Sequence, residues 1–248
     1  MIALIFVLAF ICEYIDCSLG MGYGTILSPI LILLGYDPLL VVPSILISQA
    51  LSGFSATLFH SKLGNVNLNL KGNDVRVAFF IVSSGILATI LSAFIAISLP
   101  KFYLTAYIGL LVTAMGILLL SKRTFRFSWR KVCIIGVLSA FNKVISGGGF
   151  GPVVTSGQMI SGNKARSSVG VTTMSEVPIC LLGFVMYLIL KGLPDISLPV
   201  ILCLGAVLAT PFGPVRTSRL NEQNARTFIG ALTLSEGILM LIKLFVSF

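Results

Sequence analysis

Glu13, Asp16, Glu176 and Glu236 each interrupt a long apolar run, and so does Lys143. A charge at the centre of a membrane helix costs about 2.5–3.5 kcal/mol on the insertion scale. Such groups are therefore paired, protonated or wet, and they mark ion or proton pathways. Four residues after Asp16 and four after Lys143 begin two glycine clusters, Gly20-Met21-Gly22-Tyr23-Gly24 and Gly147-Gly148-Gly149-Phe150-Gly151. Glycines at i, i+2 and i+4 permit left-handed and extended backbone and let another group approach the main chain. The segment that restarts after each cluster presents bare N–H groups, which attract anions. Gly20, Gly22, Tyr23, Gly24, Lys143, Gly147, Gly148, Gly149 and Gly151 are thus the candidate contacts for a small anionic substrate. Glu13, Asp16 and Glu176 are candidates for proton coupling or for a structural ion pair with Lys143. Close helix packing is the rival use of glycine, but its motifs repeat at i, i+4.

The elements that must hold these residues are membrane helices. The chain has 248 residues, 56% of them hydrophobic and 10% charged, with a mean hydropathy of +1.05. A soluble domain carries about a quarter charged residues. This composition excludes a water-soluble enzyme, a disordered tail and a nucleic-acid-binding domain. The formal charge of +9 then reflects basic cytoplasmic loops of a protein in the cell membrane rather than a nucleic-acid partner. The first apolar run has nothing positive before it and contains Glu13 and Asp16, so it does not read as a cleaved signal. Apolar runs cover 2–19, 25–35, 39–60, 75–98, 102–121, 132–146, 152–160, 167–190, 196–213 and 226–247. Helices are expected, since backbone polar groups in lipid must be satisfied within the segment.

Two copies of one pattern fill the chain. A shift of 127 places Gly20 on Gly147, Gly22 on Gly149, Gly24 on Gly151, Gly35 on Gly162 and Ser48 on Ser175. It also places Asp16 on Lys143 and Gln49 on Glu176. A shift of 121 matches 108–120 with 229–241 at seven of thirteen positions. Residues 1–121 and 131–248 read as transmembrane repeats joined by a basic cytoplasmic linker, 122–130. If each half begins with a re-entrant hairpin broken at its glycines, three spans follow and the second half is inverted. One face then receives thirteen of the seventeen Lys and Arg, the other three, with Lys143 inside the membrane. Letting each broken element cross once gives ten against six. Positive-inside bias selects the first arrangement. The expected fold is an all-α polytopic membrane protein of two inverted repeats, each a glycine-broken hairpin plus three transmembrane helices.

Other chemistries fit less well. A cation or metal carrier or channel could use Glu13, Asp16 and Glu176, but scattered acids with a single histidine, His60, make a poor metal set. Gly22-Tyr23-Gly24 matches the last letters of a potassium filter, yet no Thr-Val precedes it and a filter needs a fourfold ring. The five cysteines lie in apolar runs without a CxxC and read as buried thiols. No HExxH zinc site, nucleophile–base pair or GxxxxGK[ST] loop is present. The reading is a secondary transporter, not an enzyme, with no cofactor. His60, at the end of a helix on the basic face, reads as an interfacial residue.

The glycine-rich stretch from Gly20 to Pro29, the apolar run to Gly35 and the counterpart from Gly147 to Gly162 resemble the sulfite exporter TauE/SafE family, also called the TSUP transporters. Lys164-Ala165-Arg166 leading into a helix with Ser167, Ser168, Thr172 and Thr173 is similar as well. The resemblance spans essentially the whole chain and departs at Met21-Gly22-Tyr23, where the family often has denser glycines. It implies an integral membrane transporter, an exporter, for small sulfur-containing anions such as sulfite, sulfonates or sulfoacetate.

Overall fold

The computed structural model of the chain describes residues 2–121, 129–160, 163–192 and 195–217, with 227, 231, 234–235, 237–239, 241–242 and 244. Most of the basic linker lies outside the described residues, as do Glu236 and Gly162. The described residues form ten helices and no strand. These are α1 (Ile2–Leu19), α2 (Tyr23–Leu33), α3 (Pro38–Lys62), α4 (Asn73–Ser98) and α5 (Lys101–Leu120), then α6 (Trp129–Ser146), α7 (Phe150–Ile160), α8 (Ala165–Lys191), α9 (Ser197–Ala209) and α10 (Gly213–Thr217). The described residues of 231–244 are helical too. Among these elements α1, α3, α4 and α8 are long and apolar enough to cross a membrane. The protein is an α-helical multi-pass membrane protein.

The glycine clusters do end helices, and by one device. Gly20 (φ 70°) closes α1 with its N–H on the Asp16 carbonyl at 2.6 Å. Gly147 (φ 78°) closes α6 with its N–H on the Lys143 carbonyl at 2.8 Å. Positive φ is nearly free only for glycine, so the sequence dictates both stops. At the start of α3, the Asp37 side chain accepts from Leu39 N (2.8 Å), and Pro38 occupies the first turn, where its missing N–H costs nothing. The run 196–213 is not one span. Thr210 N and Phe212 N bond back three residues, to Val207 and Ala209, and turn the chain. That turn seats Gly213 so close to Cys17 of α1 that a Cβ there would overlap it.

Small residues let the helices approach. Gly85 and Gly136 bring α4 against α6, and Gly205 brings α9 against Phe6 and Ala9 of α1. Along α3 and α8, Gly53 lies against Val177 and Thr173, while Gly183 lies against Leu46. Rising numbers on one helix meet falling numbers on the other, so α3 and α8 run antiparallel. In the same way Gly109 meets Leu241 and Gly116 meets Leu234, so α5 and the C-terminal helical residues are antiparallel.

Burial is distributed as lipid requires. Phe79, Leu87 and Ile189 are 66%, 73% and 71% exposed, whereas Glu13 and Lys143 are each 1% exposed. His60 is corrected by the structure: it is fully buried rather than interfacial. Its Nδ1 lies 3.2 Å from Asn65 Nδ2, and Asn65 in turn donates to the Pro214 carbonyl (2.9 Å). The loop after α3 therefore folds over the histidine.

Candidate functional site

The two helix breaks, far apart in sequence, pack directly on each other. A Cβ on Gly24 would overlap the Gly147 carbonyl, and a Cβ on Gly151 would overlap the Gly20 carbonyl. The shift of 127 maps Gly24 to Gly151 and Gly20 to Gly147, so these are one contact made twice, reciprocally. Hydroxyls repeat the relationship to within one residue. Ser28 Oγ donates to the Ser146 carbonyl (2.7 Å), and Thr155 Oγ1, its shifted equivalent, donates to the Gly20 carbonyl (2.7 Å). Gly116 against Leu234 and Gly237 against Thr113 make another such pair under the shift of 121.

Beside the breaks, four polar side chains form a buried chain. The Lys143 ammonium lies 2.8 Å from Glu176 Oε1 and also donates to Gln49 Oε1. Gln49 Nε2 donates to Asp16 Oδ2 (3.2 Å), and Asp16 Oδ1 accepts from Tyr23 N (3.0 Å). The ionic partner of Lys143 is thus Glu176 of α8, with Asp16 joined only through Gln49. Gln49 is the residue that reading for charges passes over; the signal for it was its place opposite Glu176 under the shift. Tyr23 is fully buried, its hydroxyl 2.7 Å from Ser48 Oγ, and Phe150 is its fully buried counterpart. Glu13 stands apart. Its Oε1 accepts from the Cys17 thiol (3.0 Å), a weak donor, and its Oε2 has no hydrogen-bond partner.

Three backbone donors of the breaks are occupied in this conformation. The Asp16 carboxylate holds Tyr23 N at the start of α2, where an anion is favoured by the helix end. Gly149 N donates to Thr25 Oγ1 (3.3 Å), and Gly148 N to Ser146 Oγ (3.1 Å). No room remains between Gly24 and Gly147 for a ligand. The structure thus brings together Gly20, Gly24, Gly147, Gly148 and Gly151 at the break contact, and Asp16, Lys143 and Glu176 next to it. Gly22 (φ 139°) faces Ile15, and Gly149 (φ 81°) faces Asn142 and Leu111, so their lack of a side chain serves backbone shape, with Gly149 reaching the other break only by its N–H to Thr25. Among the described residues no three His, Cys, Asp or Glu side chains form a metal-ligand group.

A cleft of about 540 Å³ opens at the end of the molecule where α3 stops and α8 starts. Ser61, Asn65, Asp74, Lys164, Arg166 and Ser167 line it. The ends of α3 and α8 that bear Lys62 and Lys164 therefore share one face.

Comparison with known proteins gives the family. Residues 5–240 match the family model described as sulfite exporter TauE/SafE. The chain is 26% identical over 232 residues to the probable membrane transporter protein YtnM of Bacillus subtilis (strain 168), covering 88% of this chain and 75% of that protein. No solved structure matches. With almost its whole length matched, the chain belongs to the sulfite exporter TauE/SafE family and is a membrane transporter of that type.

Proposed function

We propose that this transporter carries small sulfur-containing anions, such as sulfite, a sulfonate or sulfoacetate, across the cell membrane as a proton-coupled secondary exporter. The reciprocal contact of the two glycine breaks beside the buried Lys143 carries the reading. Short, glycine-interrupted segments at matching positions in two halves point to a transporter's substrate site. Residues 1–121 and 131–248 are taken as the two repeats, inverted with respect to each other. The antiparallel course of α3 against α8 supports inversion, and so does the shared face of Lys62 and Lys164. Two parallel repeats would put those ends on opposite faces.

Charge bookkeeping suggests how a proton enters. Glu13, Asp16 and Glu176 with Lys143 carry three acids against one base, and buried like charges disfavour one another's ionised forms. A proton on one carboxyl relieves this. Protonating Asp16 loosens its hold on Tyr23 N and Gln49, and a substrate anion then takes the vacated helix N-terminus, with the Lys143 charge nearby. The internal carboxylate is a stand-in for the substrate, displaced when the breaks part. A cation carrier using Glu13, Asp16 and Glu176 is disfavoured by the ammonium already paired with Glu176.

Flux through reconstituted vesicles tests the proposal, with sulfite, sulfate, thiosulfate, sulfoacetate and taurine compared at two pH values. Saturable flux of one or more sulfur anions that changes with pH is expected. Absence of flux for all five, or flux of a cation instead, would overturn it.

A further inference from the structure

The two halves match in their breaks but differ beside them. Between α7 and α8 lie Thr155, Gln158, Ser168 and Thr172, all buried. Thr155 Oγ1 stands 2.8 Å from Thr172 Oγ1, and Thr172 Oγ1 donates to the Ser168 carbonyl (2.8 Å). Gln158 Nε2 makes only long contacts, 3.4 Å to Thr172 Oγ1 and 3.5 Å to the Ser168 carbonyl. Gln158 Oε1 and Ser168 Oγ have no protein partner, although Gln158 is 5% exposed and Ser168 fully buried. Leaving such groups dry costs about 1–3 kcal/mol each, which favours a polar occupant beside them.

The first half has no such cluster. The shift of 127 replaces Thr155, Gln158, Ser168 and Thr172 with Ser28, Leu31, Val41 and Ile45. Leu31, Val41 and Ile45 are fully buried in one apolar core with Leu27 and Leu202. Polar groups in α8 also have a direction. Ser168, Thr172, Ser175 and Glu176 fall at i, i+4, i+7 and i+8, one face of the helix. That face starts next to Ser167, which lines the basic cleft, and ends at the Glu176–Lys143 pair.

We propose that Thr155, Gln158, Ser168 and Thr172 line a solvated access leg for water and a small oxyanion, running from the basic cleft to Lys143. Leu31, Val41 and Ile45 are its dry counterpart and keep the opposite face shut in this conformation. Neutral donors and acceptors suit such a leg, because they replace hydration without trapping the anion as a fixed cation would. The oxyanion assignment rests on the proposed function; the solvation does not.

Side-specific labelling of single cysteines decides it. Ser168→Cys and Thr172→Cys, and separately Val41→Cys and Ile45→Cys, are made in the full chain in oriented vesicles. The reactivity of the five native cysteines is subtracted. A membrane-impermeant thiosulfonate on the Lys164 face is expected to modify the α8 positions about tenfold faster than the α3 positions, the rate equivalent of roughly one lost hydrogen bond. Equal rates, or faster reaction from the opposite face, overturn the proposal. Gln158→Leu combined with Ser168→Val imports the first half's residues and is expected to lower maximal flux by about tenfold on the same scale. Unchanged flux overturns it as well. Labelling needs no transported substrate, so a chain that labels as expected but moves none of the five anions loses the proposed substrate and keeps the leg.

Discussion

Lys143 of α6 pairs with Glu176 of α8 at 2.8 Å, and both side chains are buried. Removing one member of a buried pair strands the other and costs about 3–5 kcal/mol, whereas removing both with residues of similar shape is close to neutral. Lys143→Met and Glu176→Gln are therefore expected to lower thermal stability in detergent separately, and the double variant to recover most of it. Asp16→Asn should not rescue Lys143→Met, because Asp16 is linked to the lysine only through Gln49. Rescue by Asp16→Asn and not by Glu176→Gln would contradict the pairing.

The glycines divide by what a side chain would meet. At Gly24 and Gly151 a Cβ collides with backbone of the other break, which cannot step aside. Gly24→Ala and Gly151→Ala are expected to force the breaks apart and reduce the yield of folded, monodisperse protein. Gly35 (φ 97°) has open space around it, so Gly35→Ala meets only the backbone penalty of about 1–2 kcal/mol. Gly22→Val and Gly149→Val strain the break itself, and flux should vanish while the protein still purifies. Comparing size-exclusion profiles with flux across the five variants separates these outcomes.

Face assignments follow from the cleft. Cysteines placed at Lys71 and Arg166 should react with an impermeant reagent from the same side of intact cells, and cysteines at Lys101 and Lys191 from the other. The positive-inside bias makes the Lys71 side cytoplasmic. Labelling of Lys71→Cys and Arg166→Cys from opposite sides would rule out inverted repeats.

Much of the helical layout was legible because glycine and proline punctuate it. The stops at Leu19 and Ser146 fall where the clusters begin, and α3 starts at Pro38 behind its Asp37 cap. The division at Thr210 was not legible, since the turn exists to seat Gly213 on Cys17, a neighbour nearly two hundred residues away. The site shows the same limit. A sequence shift identifies equivalent positions, and Asp16 and Lys143 are equivalent. Yet the two breaks meet reciprocally, each glycine against the equivalent of a different one, Gly24 on Gly147 and Gly151 on Gly20. Lys143 instead finds its partner within its own half, Glu176 of α8, as Asp16 meets Gln49 within the first. Burial of His60 was hidden for a similar reason, because Asn65 and Pro214 close over it from separate segments.

Proton coupling makes the sharpest demand on Asp16. Its two oxygens divide their work: Oδ1 holds Tyr23 N at the start of α2, and Oδ2 takes the Gln49 amide. If substrate displaces this carboxylate, displacement is easier once the carboxyl carries a proton, because a neutral acid accepts those hydrogen bonds less strongly. Flux in the parent protein should then rise as the pH of the loading side falls. Asn at this position keeps an oxygen for Tyr23 N but has no proton to gain. Asp16→Asn is therefore expected to fold, to retain detectable anion binding by calorimetry, and to lose most of the pH dependence of flux. The residual rate should approximate that of the protonated parent, less the weaker fit of an amide beside Gln49. Glu13→Gln is the control, since its carboxyl touches the Cys17 thiol and none of the break's backbone donors described. A steep pH profile that survives in Asp16→Asn and disappears in Glu13→Gln would move the proton from the α2 N-terminus to Glu13 and end the displacement mechanism.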